Sequence, residues 1–404
     1  MTVRRLLATG GGGTGGGTGG PPPPDPTLVV PRLMTEPLGV NQNTTTLTGS
    51  GKTWQHTAFT VLADSADMRL VFFGGSQGSI TNPATLKASV RKAGGSWVPV
   101  TFSGSTSGSL PLDGYLTSDA LTGPFLEATT FEVRVYSPAQ NINVSAPAAV
   151  TTGEHLTETT LPSPDAFPAN GPVPIGFIGD GRATALSLGL YGDSIAAQGL
   201  WWQQALASRA VAGVNFGRNA QRFTGRWLGA DLIEALTHML VQFGVNDLSD
   251  NINTTTMWAR AVDNYDYIHG LNADLPLWQT TPTPIVDTDD GCATLSGQTV
   301  RDYAATYRQP WIAFLRDGAP CHPTTRAALS VGATGTVIRA GQTGHPLKGV
   351  VDIAAAVEQG GSSSPTGKWR VDLGALGGDG VHPSNLGMTA MVPPVQEWVE
   401  SLSA

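Results

Sequence analysis

Charge is scarce in this chain. Only 13% of its 404 residues are Asp, Glu, Lys or Arg, and the formal net charge is −8. That is the wrong sign for a phosphate backbone. No basic stripe with interleaved aromatics occurs, so nucleic acid is not an expected partner. Cysteine is nearly absent, with Cys292 and Cys321 the only two. The count excludes a four-cysteine metal site. Both lie in one loop-rich insertion, and the expectation leans towards a disulfide over two free thiols. Long apolar runs are missing as well. No stretch has the roughly 20 apolar residues that a bilayer-spanning helix needs, so no membrane span is expected. At the N-terminus, only Leu6, Leu7, Ala8 and Thr9 separate two arginines from a glycine run. A secretory h-region is longer than that. The expectations are a cytoplasmic protein, or one carried on a phage particle or exported by an unusual route.

What is plentiful is glycine (51 residues) and proline (29), alongside a hydrophobic fraction of 40% that suits a folded core. The Gly/Thr run and Pro21–Pro24 make residues 1–30 read as a flexible tether, for attachment to a phage particle or cell surface, or as a disordered tail with no role of its own. Residues 31–165 are strand-like. Leu86, Ala88 and Val90 alternate with Lys87, Ser89 and Arg91. Phe131, Val133 and Val135 alternate with Glu132, Arg134 and Tyr136. A period of two means strands buried on one face, and Gly94-Gly95 marks a hairpin between two runs. The expectation is a small antiparallel β-sandwich. Residues 166–184 read as a connector. From 185 to 404 short apolar runs alternate with helical stretches. Strands are expected at 186–191, 239–243, 275–278 and 349–351, and helices from Ser194 to about Val211 and over 257–269, 300–315 and 390–401. That alternation predicts an α/β domain with a mostly parallel sheet.

Four short motifs follow one another in this second half: Gly192-Asp193-Ser194, Asn215–Ala220, Gly244-Val245-Asn246-Asp247, and Asp379-Gly380-Val381-His382-Pro383. Ser194 follows a strand and opens a helix, where unpaired N–H groups and the positive helix end favour developing negative charge. Asp-Ser at that place is equally an ordinary helix cap. Asp379 and His382, three residues apart in a glycine-rich turn, are spaced for a carboxylate to orient an imidazole, or are an incidental surface loop. Asn246 follows a strand, where an amide serves either as an oxyanion donor or as a turn residue. Asp247 is expected to brace its loop. Trp201, Trp202 and Trp227 suit an acyl or sugar pocket, or core packing. Two weaker patterns are set aside. Thr48–Thr53 ends like a phosphate-binding loop but lacks the first glycine, with Thr46 in its place. Asp287–Gly291 only superficially suits calcium.

Taken in order, the four motifs resemble those of the SGNH (GDSL-type) serine hydrolases. The resemblance covers residues from about 186 to the C-terminus. It implies a flavodoxin-like three-layer α/β/α fold with a parallel sheet, preceded here by the small antiparallel β-sandwich found in some two-domain members. It implies Ser194 as nucleophile, His382 as base and Asp379 as orienting carboxylate. The implied oxyanion donors are the Ser194 N–H, the Asn246 side chain and a backbone N–H of the second block. Family members often carry glycine at that last place, whereas this chain has Ala220, with Gly217 the rival in another register. No cofactor and no metal are expected. The implied activity is hydrolysis of carboxylic esters through an acyl-enzyme, on a small-molecule or polysaccharide-linked acyl ester, such as a carbohydrate O-acetyl group. The alternative is a non-catalytic glycan-binding or phage-tail structural module with a vestigial hydrolase domain.

Overall fold

The computed structural model describes residues 29–35, 40–48, 52–74, 84–137, 141–147, 154–157, 165–166, 176–182, 185–374 and 379–402. Most of the expected N-terminal tether, and residues 49–51 of the phosphate-loop-like stretch, lie outside them. Five strands form a parallel sheet in the order Ala212–Asn215, Ser187–Gly192, His238–Gln242, Leu277–Thr280, Gly349–Val351. Numbered along the chain this is 2-1-3-4-5, the flavodoxin-like order of doubly wound sheets. Every residue of Ser187–Gly192 is buried. A parallel strand covered on both faces reads as a continuous apolar run and not an alternating one.

The helices pack in two groups. Leu200–Ala207 contacts Asn385–Ala390 and Val392–Leu402, while Thr254–Leu271 contacts Ala230–Glu234 and Gln309–Arg316. With the strand order crossing to either side of the first strand, crossovers of the usual right hand would put the two groups on opposite faces. Thr254–Leu271 buries Met257, Trp258, Ala261, Tyr265 and Ile268, a stripe at helical spacing. Its start is set by Asn253, whose side chain accepts from the Thr256 N–H at 2.9 Å.

Among the described residues there are also two antiparallel sheets of seven strands each and a two-stranded hairpin, Val286–Thr288 with Gln298–Val300. In the first, Ser65–Gly74 is central and pairs with Gly176–Arg182, Asn141–Pro147, Gly114–Thr117 and Leu121–Phe125. In the second, Thr130–Ser137 lies between Lys52–Thr60 and Ala84–Lys92. Met68, Leu70 and Phe72 share one apolar layer with Leu86, Ala88, Val90, Val133 and Val135 of the second sheet. The intervening Val71 and Phe73 point the other way and join the core of the parallel-sheet unit. The period of two thus places one sheet between two apolar layers.

The structure departs from expectation at several places. Gly176–Arg182, inside the stretch read as a connector, is a strand paired with Val29–Leu33 and Ser65–Gly74. Its pairing partners lie more than 100 residues upstream in sequence, so no local pattern announced it. The helix expected to run from Ser194 to about Val211 is two short ones, broken at Gly199 with φ +65. Cys292 and Cys321 are both free thiols buried in the core, which corrects the disulfide expectation. Each is packed as a small apolar residue, as free cysteine commonly is. No described helix is long and apolar enough to cross a membrane.

Candidate active site

Ser194 stands at the carboxyl end of the strand Ser187–Gly192 and opens the helix Ser194–Gln198. The capping job falls to its neighbour: Asp193 Oδ1 accepts from the Ile195 N–H at 2.9 Å. That leaves the Ser194 hydroxyl for another partner. Ser194 Oγ lies 2.8 Å from His382 Nε2, across 188 residues of chain. His382 Nδ1 lies 2.6 Å from Asp379 Oδ2. Ser194 is buried, whereas His382 and Asp379 are partly open to solvent.

The Asp379–His382 turn is shaped by its own carboxylate. Asp379 Oδ1 accepts from the backbone N–H groups of Val381 at 2.8 Å and His382 at 2.9 Å. Gly380 between them has φ +71, and a Cβ there would meet the Val286 carbonyl oxygen at 2.1 Å, so only glycine fits. Its carbonyl accepts from the Val286 N–H at 3.0 Å and from Trp369 Nε1 at 2.9 Å. Arg301 Nη2 donates to the Asp379 carbonyl at 3.1 Å, and Arg301 Nε to Asp287 Oδ1 at 2.9 Å. The turn is therefore held from the hairpin Val286–Thr288 and Gln298–Val300 and from the buried Trp369. Ser384 then caps the helix Asn385–Ala390, its Oγ accepting from the Gly387 N–H at 3.0 Å.

The second motif leaves the strand Ala212–Asn215 and runs beside the helix that Ser194 opens. Asn215 ties the two together: Nδ2 donates to the Ala196 carbonyl at 2.8 Å, and Oδ1 accepts from the Gly217 N–H at 2.7 Å. The Gly217 N–H is therefore occupied. A Cβ on Gly217 would meet Ala197 N at 2.3 Å, so glycine there serves close packing. The Arg218 N–H donates to the Gly192 carbonyl at 3.0 Å. Ala220 has φ +58, a left-handed conformation that disfavours side chains. Among the described residues no acceptor faces the N–H of Ala220 or of Ser194.

Asn246 lies in the first turn of Val245–Leu248. Its Nδ2 donates to the Gln221 carbonyl at 3.0 Å, which uses one of the two hydrogens an amide offers. Gln221 follows Ala220, so Asn246 and the second motif are joined directly. Asp247 is fully buried and accepts from the Phe223 N–H at 3.1 Å, bracing the loop.

The carboxyls around the site have opposite tendencies. Burial raises Asp379, but the hydrogen bonds from the His382 ring and from the His382 and Val381 N–H groups outweigh it and hold the carboxyl below its ordinary value. Asp379 is accordingly ionised at neutral pH, as the partner of a histidine should be. Full burial pushes Asp193 up to about 8, the nearby Asp247 adding to it against the Ile195 N–H. Burial likewise pushes Asp247 up to about 6, despite hydrogen bonds from the Phe223 N–H and Arg260.

The structure thus brings Ser194, His382 and Asp379 into one hydrogen-bonded chain, and links Asn246 to Ala220 through Gln221. Trp201 and Trp202 are fully buried and Trp227 nearly so, which corrects the pocket alternative for these three residues. The Asp290 carboxylate is occupied within its own loop, by the Ala293 and Thr294 N–H groups and the Thr294 hydroxyl. Among the described residues no cluster of His, Cys, Asp or Glu is arranged to hold a metal ion. Arg301, Trp369 and the double role of Asn215 were not legible in advance. Arg301 and Trp369 stand in no motif, and Asn215 stands in one whose spacing says nothing of its side chain.

No protein-family model matches this chain, and no curated protein does. Solved structures do. A peptidoglycan O-acetylesterase is 13% identical, covering 93% of this chain and 77% of that one, with a TM-score of 0.38. A carbohydrate esterase family 2 enzyme with its carbohydrate-binding domain, from Corynascus thermopiles (Myceliophthora fergusii), is 12% identical over 92% of this chain and 99% of that one, with a TM-score of 0.35. A member of the lipolytic G-D-S-L family from Veillonella parvula is 16% identical over 53% of this chain and 97% of that one, with a TM-score of 0.32. The chain is similar to these proteins, and what it does is read from its own residues.

Proposed function

We propose that this protein is a serine esterase of the SGNH type. The observation that carries the reading is the relay itself: Ser194 Oγ, His382 and Asp379 joined at 2.8 and 2.6 Å from opposite ends of the domain. As Ser194 Oγ attacks the ester carbonyl carbon, its proton passes to His382 Nε2. Asp379 keeps the imidazole proton on Nδ1, so that Nε2 is the free acceptor, and stabilises the imidazolium that forms. His382 then returns the proton to the leaving alkoxide, which departs as the alcohol. Water, deprotonated by the same nitrogen, attacks the acyl carbon; the bond from that carbon to Ser194 Oγ breaks, His382 returns the proton to Oγ, and the carboxylic acid leaves.

The developing oxyanion is met by the Ser194 N–H, the second Nδ2 hydrogen of Asn246 and the Ala220 N–H. Ala220 is preferred to Gly217 because the Gly217 N–H already donates to Asn215 Oδ1. The two facing antiparallel sheets are read as an accessory β-sandwich module, and the parallel-sheet unit as the hydrolase domain. The substrate is read as a short-chain acyl ester, with carbohydrate O-acetyl groups the first to try. The test is hydrolysis of p-nitrophenyl acetate by the wild type and by Ser194→Ala. Turnover that vanishes in a folded Ser194→Ala supports the reading, and turnover that persists there removes Ser194 as nucleophile.

A further inference from the structure

One contact between the antiparallel sheets and the candidate site runs through the loop that carries Asp113. The loop between the strands Gly108–Leu110 and Gly114–Thr117 ends at Asp113, which has φ +51. Asp113 Oδ1 accepts from Arg218 Nη1 at 2.7 Å. Arg218 lies between Gly217 and Asn219, two residues before Ala220. Its backbone N–H is bonded to the Gly192 carbonyl, two residues before Ser194. The guanidinium is largely closed off from solvent, with its carbon 5.9 Å from the centre of the Trp227 ring. Trp227 in turn donates from Nε1 to the Phe216 carbonyl at 2.9 Å, at the start of the same motif. The motif is thus anchored at its beginning by Trp227, in its middle by Asp113 and at its end by Asn246 through Gln221.

Resting on the esterase reading above, we infer that Asp113 is a positioning residue: through Arg218 it fixes the loop that presents the Ala220 N–H to the oxyanion. A second contact across the same boundary serves as a control. Thr117 Oγ1 donates to Asp231 Oδ2 at 2.8 Å, at the helix Ala230–Glu234, away from the second motif. If the antiparallel sheets merely buttressed the fold, losing either contact would act alike, on stability alone. If Asp113 positions the oxyanion loop, its loss lowers kcat and leaves KM nearly unchanged, because the oxyanion forms only in the transition state.

The experiment measures kcat and KM for p-nitrophenyl acetate, with a thermal melt of each protein. The proteins are the full-length wild type, Asp113→Asn, Asp113→Ala, Thr117→Ala, Arg218→Ala and the double variant Asp113→Ala/Arg218→Ala. Complete loss of an oxyanion donor costs roughly a hundred- to a thousand-fold. A donor that is loosened and still present should cost less, about tenfold in kcat for Asp113→Ala. Asp113→Asn, which keeps a neutral acceptor, should fall between that variant and wild type. Thr117→Ala should retain wild-type kcat. The double variant should be no slower than Arg218→Ala, since both substitutions remove one interaction. Unchanged kcat in Asp113→Ala, or losses that add in the double variant, would overturn the inference while leaving the esterase reading in place. A wild type without turnover would remove the esterase reading itself, and this inference with it.

Discussion

Replacing Asp379 by asparagine tests the site at its most constrained point. The carboxylate accepts three hydrogen bonds on two oxygens: Oδ1 from the Val381 and His382 N–H groups, and Oδ2 from His382 Nδ1. Asparagine has one acceptor oxygen and one donor nitrogen. Turned with its oxygen towards the backbone, it keeps the turn and presents N–H to His382 Nδ1. The imidazole must then accept at Nδ1 and carry its proton on Nε2, the nitrogen that faces Ser194 at 2.8 Å. A protonated Nε2 cannot take the serine proton. In triads of this kind the wrong tautomer lowers kcat by roughly ten-thousand-fold, about 5.5 kcal/mol of transition-state stabilisation. The pair is partly solvent-exposed, so stability should change by only about 1 kcal/mol or less. The assay is kcat on p-nitrophenyl acetate near neutral pH, with a melt to show that the variant is folded. A folded Asp379→Asn that keeps kcat within about tenfold of wild type would refute the argument that Asp379 sets the tautomer.

Three further outcomes are expected. Asn246→Ala should lower kcat by roughly a hundred- to a thousand-fold, and near-wild-type turnover would take Asn246 out of the oxyanion hole. Ala220→Gly relieves a left-handed alanine at φ +58. The relief, roughly 1–2 kcal/mol, is partly offset by about 0.4–1 kcal/mol for the more flexible unfolded chain. Urea unfolding should therefore show a small gain in stability with activity retained, and a loss of stability would contradict the strain. Asp193 stands at about 8 in the folded protein against an ordinary 3.8. Between those values the folded state holds a proton that the unfolded state has released, so its contribution to stability falls as pH rises through that window. Asp193→Asn should flatten this decline in denaturant midpoints measured at pH 5 and pH 8, and an unaltered slope would assign the decline to other groups.

Much of the architecture was legible because burial imposes a period. The alternation at Leu86–Val90 and Phe131–Val135 showed strands with one apolar face, and those residues do meet in a common layer. The short apolar runs around Leu188 and Leu240 marked strands covered on both faces, and these became neighbours in the parallel sheet. Ser194, Asn246, Asp379 and His382 were singled out by motifs that stand just beyond strands or in turns, and the carboxyl ends of parallel strands are where such sheets bind ligands. The four-residue strand Ala212–Asn215 escaped notice, because the helix expected from Ser194 was run to about Val211, directly against it.

What only the folded chain decided are the contacts between residues far apart in sequence. Whether Gly217 or Ala220 keeps an unoccupied N–H depends on where the Asn215 side chain turns. Whether Cys292 and Cys321 join depends on where two loops settle in the core. Arg301 meets the Asp379 carbonyl from 78 residues away, and Asp113 meets Arg218 from 105. Sequence patterns record which face of an element is buried and which turn a backbone prefers, because those are local consequences of side-chain size and polarity. They carry no record of which distant hydrogen-bond donor will reach a given acceptor. That is set when sheets and helices pack, and so the residues that position the site came to light only in the tertiary structure.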